Sequence, residues 1–417
     1  MQIAAPLLIN RLATIYVVLF CFVPPMQVGT AYRMIAIVSA VVWLLTALVV
    51  DPRFVNGKVK NLIILSVMCI GFMFLWRLNV EGPADAFANV LQTIIIILIG
   101  LMSFFMFKND RKFSEVILTI VLIVICYYCI TTIQATIDNP YASRIANSEW
   151  LEERFEGNAN VGLYGYVYMC VFILPVLLYK ILNKVHINKA FDILSYAAVV
   201  LIYVMVLLAG YMIAIVCTIL STIMIVAFRK TSVINIIFTI VIGFLILIFY
   251  DKIIEKLIEF ISIIIGDNPV YNTKLDGFLQ LYQEGEMGDS AWGSRFKNYS
   301  ASWMNIVKYP IAGCYFFGST GGGGHSAILD TIGRYGWLTT VIYFEIIWKY
   351  PKKVYSYKSR KHLLYKVMLV IALLFGMLDP YTQEMAIPWF LMTPFMVYKD
   401  EEQENIKARK FGEMTNG

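Results

Sequence analysis

Charge is scarce in this sequence. Asp, Glu, Lys and Arg make up 15% of it, against about a quarter in a soluble globular chain. Histidine is scarcer still, with three among 417 residues. There is no HExxH pair and no Cys/His cluster, so zinc hydrolases and zinc modules have no footing. No Gly-Lys-Ser/Thr follows the glycine run, no dinucleotide fingerprint appears, and no loop carries an Asp-x-Asp pair. ATP and nicotinamide chemistry therefore lack their signatures, and the sequence asks for no cofactor and no metal. The seven cysteines offer no disulfide framework. Cys21, Cys69, Cys126, Cys129, Cys170 and Cys217 lie inside apolar runs, and the spacing Cys126-Tyr-Tyr-Cys129 has no βαβ pattern around it. They read as packed core thiols. Only Cys314 falls in a loop.

What the chain has instead is apolar length. Hydrophobic residues make up 59% of it, concentrated in runs such as Thr93–Phe107, Val116–Ile130, Val161–Tyr179 and Phe191–Phe228. The first three are near the ~20 residues that a helix needs to cross the hydrocarbon core, the last is long enough for two such helices split at Ala209-Gly210, and each is apolar all round rather than on one stripe. The expected architecture is all-α: a single integral membrane domain over residues 1–417, a polytopic bundle of about twelve spans. The spans fall at 7–25, 33–50, 61–77, 87–107, 115–137, 161–180, 191–208, 211–228, 233–250, 329–348, 362–378 and 385–398. Residues 1–25 lead to Pro24-Pro25 and not to a small-residue cleavage site, so they read as a first span and not as a signal peptide.

The net charge of +6 sits in short loops and is not a nucleic-acid footprint. Asp51–Lys60, Lys108–Lys112, Lys180–Lys189, Arg229-Lys230 and Lys349–Lys361 are rich in Lys and Arg, while the segments between them are poor. Strict alternation puts both termini and the tail 399–417 in the cytoplasm, and segment 251–328 outside. That segment begins with an amphipathic stretch, Asp251–Ile265, suited to the membrane interface. It turns acidic over Gly266–Asp289, and then carries no Asp or Glu from Ser290 to Leu329.

The acid-free stretch holds the candidate chemistry. Ser294 suits an N-cap for a helix that Pro310 ends, with Phe296, Tyr299, Trp303 and Ile306 or Val307 as its apolar face. Arg295 would then stand at the first turn beside free N–H groups, which favours an anion. The alternative is an ordinary pair with a loop carboxylate or a lipid head group. Gly313 to His325 follows, with Gly321–Gly324 consecutive. Such a run lets backbone approach a ligand, or serves as a plain hinge. His325 is the only histidine outside the basic loops. An imidazole there is either a general base or a structural side chain. Asp330 and Arg334 are four apart and are expected to pair with each other. A second loop, Asp138–Gly162, carries Arg144, Arg154 and Asn160 beside several glutamates.

Taken together, these features resemble the O-antigen polymerase and O-antigen ligase superfamily of bacterial surface-polysaccharide enzymes. Three elements carry the resemblance: the expected topology, the segment Arg154-Phe-Glu-Gly-Asn-Ala-Asn160 before span six, and the series Gly293-Ser-Arg295, Trp303, Pro310-Ile-Ala-Gly313, Gly324-His325-Ser-Ala-Ile-Leu-Asp330, Tyr335-Gly336. The resemblance implies metal-independent glycosyl transfer outside the inner membrane, from a glycan on undecaprenyl diphosphate to a sugar hydroxyl. It implies His325 and Arg295 as the catalytic pair. Arg154, Arg144, Trp303, Tyr299, Asn160 and Gly324 would be substrate-binding residues. Membrane lipid, a chain-length regulator and a flippase would be its partners, and nucleic acid would not. The family's Ser-Arg pair at the outer end of span seven is missing: that place reads Leu208-Ala209-Gly210-Tyr211-Met212. This favours a polymerase over a ligase. A glycan or lipid transporter is the rival of another class, and it would need a polar path that the spans scarcely offer.

Overall fold

The computed structural model of the protein describes residues 5–145, 161–227, 291–321, 323–351 and 363–415. Among them there is no strand. The helices are α1 (Ala5–Phe22), α2 (Pro24–Val28), α3 (Thr30–Val50), α4 (Lys58–Leu78), α5 (Pro83–Asn109), α6 (Arg111–Asp138), α7 (Ala142–Ile145), α8 (Tyr164–Asn183), α9 (Lys189–Ala209), α10 (Met212–Ala227), α11 (Ala291–Lys308), α12 (Ala327–Phe344), α13 (Leu363–Leu378) and α14 (Thr393–Thr415). Seven of them, α1, α3, α4, α5, α6, α8 and α9, are long and apolar enough to cross a membrane. They overlie the first seven expected spans. Helices α10 and α13 are apolar but shorter. The expected span at 233–250 lies outside the described residues.

Burial sorts the helices into centre and rim. In α8, 83% of the membrane-length window is buried, against 17% in α3. The outer face of α3 shows Met34, Ile35, Val38, Val41, Leu45 and Val49, a surface whose natural solvent is lipid tails. Lipid is as apolar as these side chains, so close packing holds such helices together more than expulsion from water does. Around α8 that packing is aromatic: Phe375 of α13 meets Tyr168 and Phe172 edge-on, at 4.5 and 5.5 Å between ring centroids.

The two ends of the bundle differ in kind. At one end the Lys/Arg-rich segments meet and lock together. Lys108 pairs with Asp51 at 2.6 Å, Arg11 with Asp110 at 2.6 Å, and Lys399 with Glu115 at 2.8 Å. Tyr350 donates to the Lys58 carbonyl, and Gln403 to the carbonyl of His186. The Asp51 carboxyl, although burial pushes it up, is held below the ordinary carboxylate range by Lys108 and Asn109. The glycine-rich loop occupies the other end, over the close of α4, the start of α8 and the end of α13.

Candidate functional site

Helices α11 and α12 pack side by side, with the glycine-rich loop folded between them. Helix α11 is already formed at Ala291, so Ser294 is inside it and does not cap it. Arg295 lies in its second turn, where N–H groups are used within the helix, so the first-turn anion argument does not hold. The buried side of α11 is also rotated from the expected one. Ser302 and Ile306 are buried, whereas Trp303 and Val307 are 58% and 62% exposed. The reason is the partner. Helix α12 presents Ile328 and Ile332 to Ile306, while Asp330 and the loop backbone meet Ser302 and Asn305, which can satisfy polar groups as Trp303 cannot.

The expected Asp330–Arg334 pair does not form. Asp330 is buried and turns back to the loop. It accepts hydrogen bonds from Ser302 Oγ at 2.5 Å, the Gly324 N–H at 2.7 Å and the Ser326 N–H at 3.1 Å. Asn305 Nδ2 adds a bond to the Gly321 carbonyl at 2.5 Å. Ser326 caps α12 through the Leu329 N–H and also donates to the Gly376 carbonyl of α13 at 2.9 Å. The run is therefore a latched loop and not a free hinge. Gly323 and Gly324 sit at φ 102° and 121°, a region that disfavours side chains. A Cβ on Gly323 would strike the Ser302 hydroxyl and the Asp330 carboxylate.

The Pro310–Gly313 turn has a second partner, the kink in α12. Gly336 stands at φ 69° and ψ 174° and breaks the helix, which frees the N–H groups that follow. Trp337 and Leu338 donate these to the carbonyls of Pro310 at 2.8 Å and Ile311 at 3.1 Å. Backbone meets backbone here: a Cβ on Gly313 would strike Arg334 and Gly336, and one on Gly336 would strike Ile311.

His325 ends the latched loop. It is half-buried and has no hydrogen-bond partner among the described residues. The residue before it, Gly324, is approached by Arg334, whose Nη2 is 3.9 Å from where a Cβ of Gly324 would be. The Arg334 guanidinium lies 5.9 Å from the Tyr315 ring centroid, and Arg77 lies 5.5 Å from the same ring. Arg77 is buried and neutralised. It pairs with Glu81 at 2.5 Å, and its Nε donates to Tyr335 Oη at 2.6 Å. Arg334 has no such relief, because its buried Nε meets no acceptor among the described residues. Burial pushes the Cys314 thiol up, with Arg334 acting the other way.

A buried carboxylate joins this loop to the start of α8. Asp379 takes hydrogen bonds from Tyr164 and, at 2.8 Å, from Tyr168, while its carbonyl accepts from the Ala327 N–H. Tyr211 packs edge-on against Tyr164 and donates to the Ser143 carbonyl. The loop before α8 and the loop before α12 thus converge on one end of the bundle. Glu384 is buried nearby and accepts from Gln27 at 2.9 Å.

The sequence-derived candidates separate accordingly. Gly324 and His325 belong to the latched loop. Tyr299 donates to the Leu378 carbonyl at 3.0 Å and so ties α11 to the end of α13. Trp303 faces away. Arg295 shares helical register with Tyr299 and Ser302, and its side chain lies outside the described residues, as does that of Arg144 on α7. Arg154 and Asn160 lie outside them altogether. Arg77, Arg334, Tyr315 and Asp379 were not among the candidates. Their signals were faint: an arginine near each end of an apolar run, and Asp379-Pro380 breaking one. A scan against protein-family models and a search of curated proteins found no match to this chain.

Proposed function

We propose that this chain is a membrane glycosyltransferase that polymerises lipid-linked oligosaccharide repeats on the outer face of a bacterial inner membrane. In this reading the bundle has about twelve spans, both termini are cytoplasmic, and residues 251–328 lie outside. The donor is a glycan on undecaprenyl diphosphate, and the acceptor is a sugar hydroxyl of another lipid-linked repeat. The observation that carries the reading is the latched loop: it ends on a half-buried imidazole without a hydrogen-bond partner among the described residues, and the residue before it, Gly324, is approached by the Arg334 guanidinium, whose buried Nε meets no acceptor among them. Such a transfer needs these two elements. A base must take the proton from the acceptor hydroxyl. Fixed cations must meet the charge that grows on the departing diphosphate. His325 fills the first role and arginines the second, so no metal is needed.

A transporter fits less well, because the cavity lined by Ile96, Phe172, Ile347, Trp389 and Phe390 is almost wholly apolar and gives a polar solute no partners there. The test is transfer in vitro. Purified protein with a lipid-diphosphate repeat should lengthen the glycan without ATP or an ion gradient, and no lengthening would refute the reading. A ligase would instead move finished polymer to lipid A core, and its deletion strain would accumulate long polymer on the carrier where a polymerase's would accumulate single repeats.

A further inference from the structure

We infer that Arg334 grips the diphosphate of the polyprenyl donor, an inference that rests on the glycosyltransferase reading. Three independent features point to it. The first is an orphan: the Arg334 Nε is buried and has no acceptor among the described residues. A buried charged donor is not left so without an acceptor supplied from elsewhere. The second is the disposition of the neighbouring charges. Arg77, over the same Tyr315 ring, has a carboxylate in Glu81. The carboxylate that spacing would give to Arg334 is that of Asp330, and Ser302 of α11 and the loop N–H groups of Gly324 and Ser326 occupy it instead. Tyr315 cannot neutralise Arg334, because one ring serves two guanidinium groups and attracts by its quadrupole alone. The third is position. The Arg334 Nη2 lies 3.9 Å from where a Cβ of Gly324 would stand, at the residue that leads into His325. An anion there would meet a planar fork suited to two phosphate oxygens, one residue along the loop from His325.

The geometry also explains why the loop is tied to Asp330. With the carboxylate turned to Gly324 and Ser326, the latch holds the backbone in place and leaves Arg334 positive. A single residue thus shapes the loop and keeps the adjacent cation free for a ligand.

Binding separates this inference from the function it rests on. Wild type, Arg334→Gln and Arg334→Lys would be purified in zwitterionic nanodiscs, and their binding of undecaprenyl diphosphate, undecaprenol and phosphatidylglycerol measured, with thermal midpoints alongside. Wild type should prefer the diphosphate to undecaprenol by at least about tenfold. Arg334→Gln should lose that preference without a lower midpoint, since it removes an unpaired buried charge, and Arg334→Lys should keep part of it. Unchanged diphosphate binding in Arg334→Gln would overturn the inference even if the protein transfers glycan. Equal binding of phosphatidylglycerol and diphosphate by wild type would also overturn it. Loss of the preference in a protein that transfers no glycan would uphold the site and refute the function.

Discussion

Asp330 accepts the Gly324 N–H at 2.7 Å, six residues back along the chain, and leaves Arg334, four residues on, without a carboxylate among the described residues. Removing this acceptor strands Ser302 and two backbone N–H groups. Asp330→Ala should cost on the order of 2–3 kcal/mol and should speed proteolysis between Gly318 and His325. A double-mutant cycle should show coupling of Asp330 to Ser302 and almost none to Arg334. A large Asp330–Arg334 coupling would restore the local ion pair and contradict the latch.

Gly336 is predicted to be irreplaceable on steric grounds. Gly336→Ala should cost on the order of 3 kcal/mol, combining left-handed backbone strain with a collision against Ile311. Gly71, whose Cβ would meet nothing within 4 Å, is the control. Gly71→Ala should be neutral or slightly stabilising. Denaturant unfolding in detergent measures both, and a neutral Gly336→Ala would refute the docking of the Pro310–Gly313 turn on the kink.

Burial pushes the Glu384 carboxyl up from its ordinary range, against hydrogen bonds that include one from Gln27. The native state therefore binds this proton more tightly than the unfolded chain does. The resulting stability is fully present below the unfolded-chain value, about 4.3, and is lost as pH rises through the folded value. In nanodiscs the thermal midpoint of wild type should fall relative to Glu384→Gln as pH rises from about 4 toward 7, and should match it at the acid end. Parallel curves across that range would remove Glu384 as the titrating group.

The two ends of the bundle predict a labelling pattern. Cysteines placed at Lys58, Lys112 and Lys184 should react with an impermeant thiol reagent only after permeabilisation of spheroplasts. Those placed at Asp85 and Thr320 should react in intact cells. Native Cys314, buried and with its thiol pushed up, should stay silent in both. Reaction at Lys58 and Thr320 under the same condition would break the topology.

The sequence and the fold agree most closely where the physics is one-dimensional. Apolar runs long enough for a bilayer became α1, α3, α4, α5, α6, α8 and α9, because in lipid a helix must satisfy its own backbone. Agreement fails where a local rule met a tertiary competitor. Four-residue spacing assigned Asp330 to Arg334, but loop N–H groups from Gly324 and Ser326 reached it first. The apolar face of α11 was assigned through Trp303, but around Ser302 the neighbours are the Asp330 carboxylate and loop backbone, so Ser302 turned inward, and of the expected face Ile306 packs against Ile328 and Ile332. Pro310–Gly313 and Gly336 were visible as a pattern, and their meaning as a backbone-to-backbone joint needed the fold.

The central claim is that the latched loop presents His325 as a base to an acceptor hydroxyl. The most direct measurement is the rate of glycan transfer per mole of folded protein in nanodiscs, for wild type and His325→Ala, with thermal midpoints alongside. The account predicts a loss of about 10²-fold or more in rate, with an unchanged midpoint and surviving binding of the diphosphate donor. Wild-type specific activity in folded His325→Ala would contradict it.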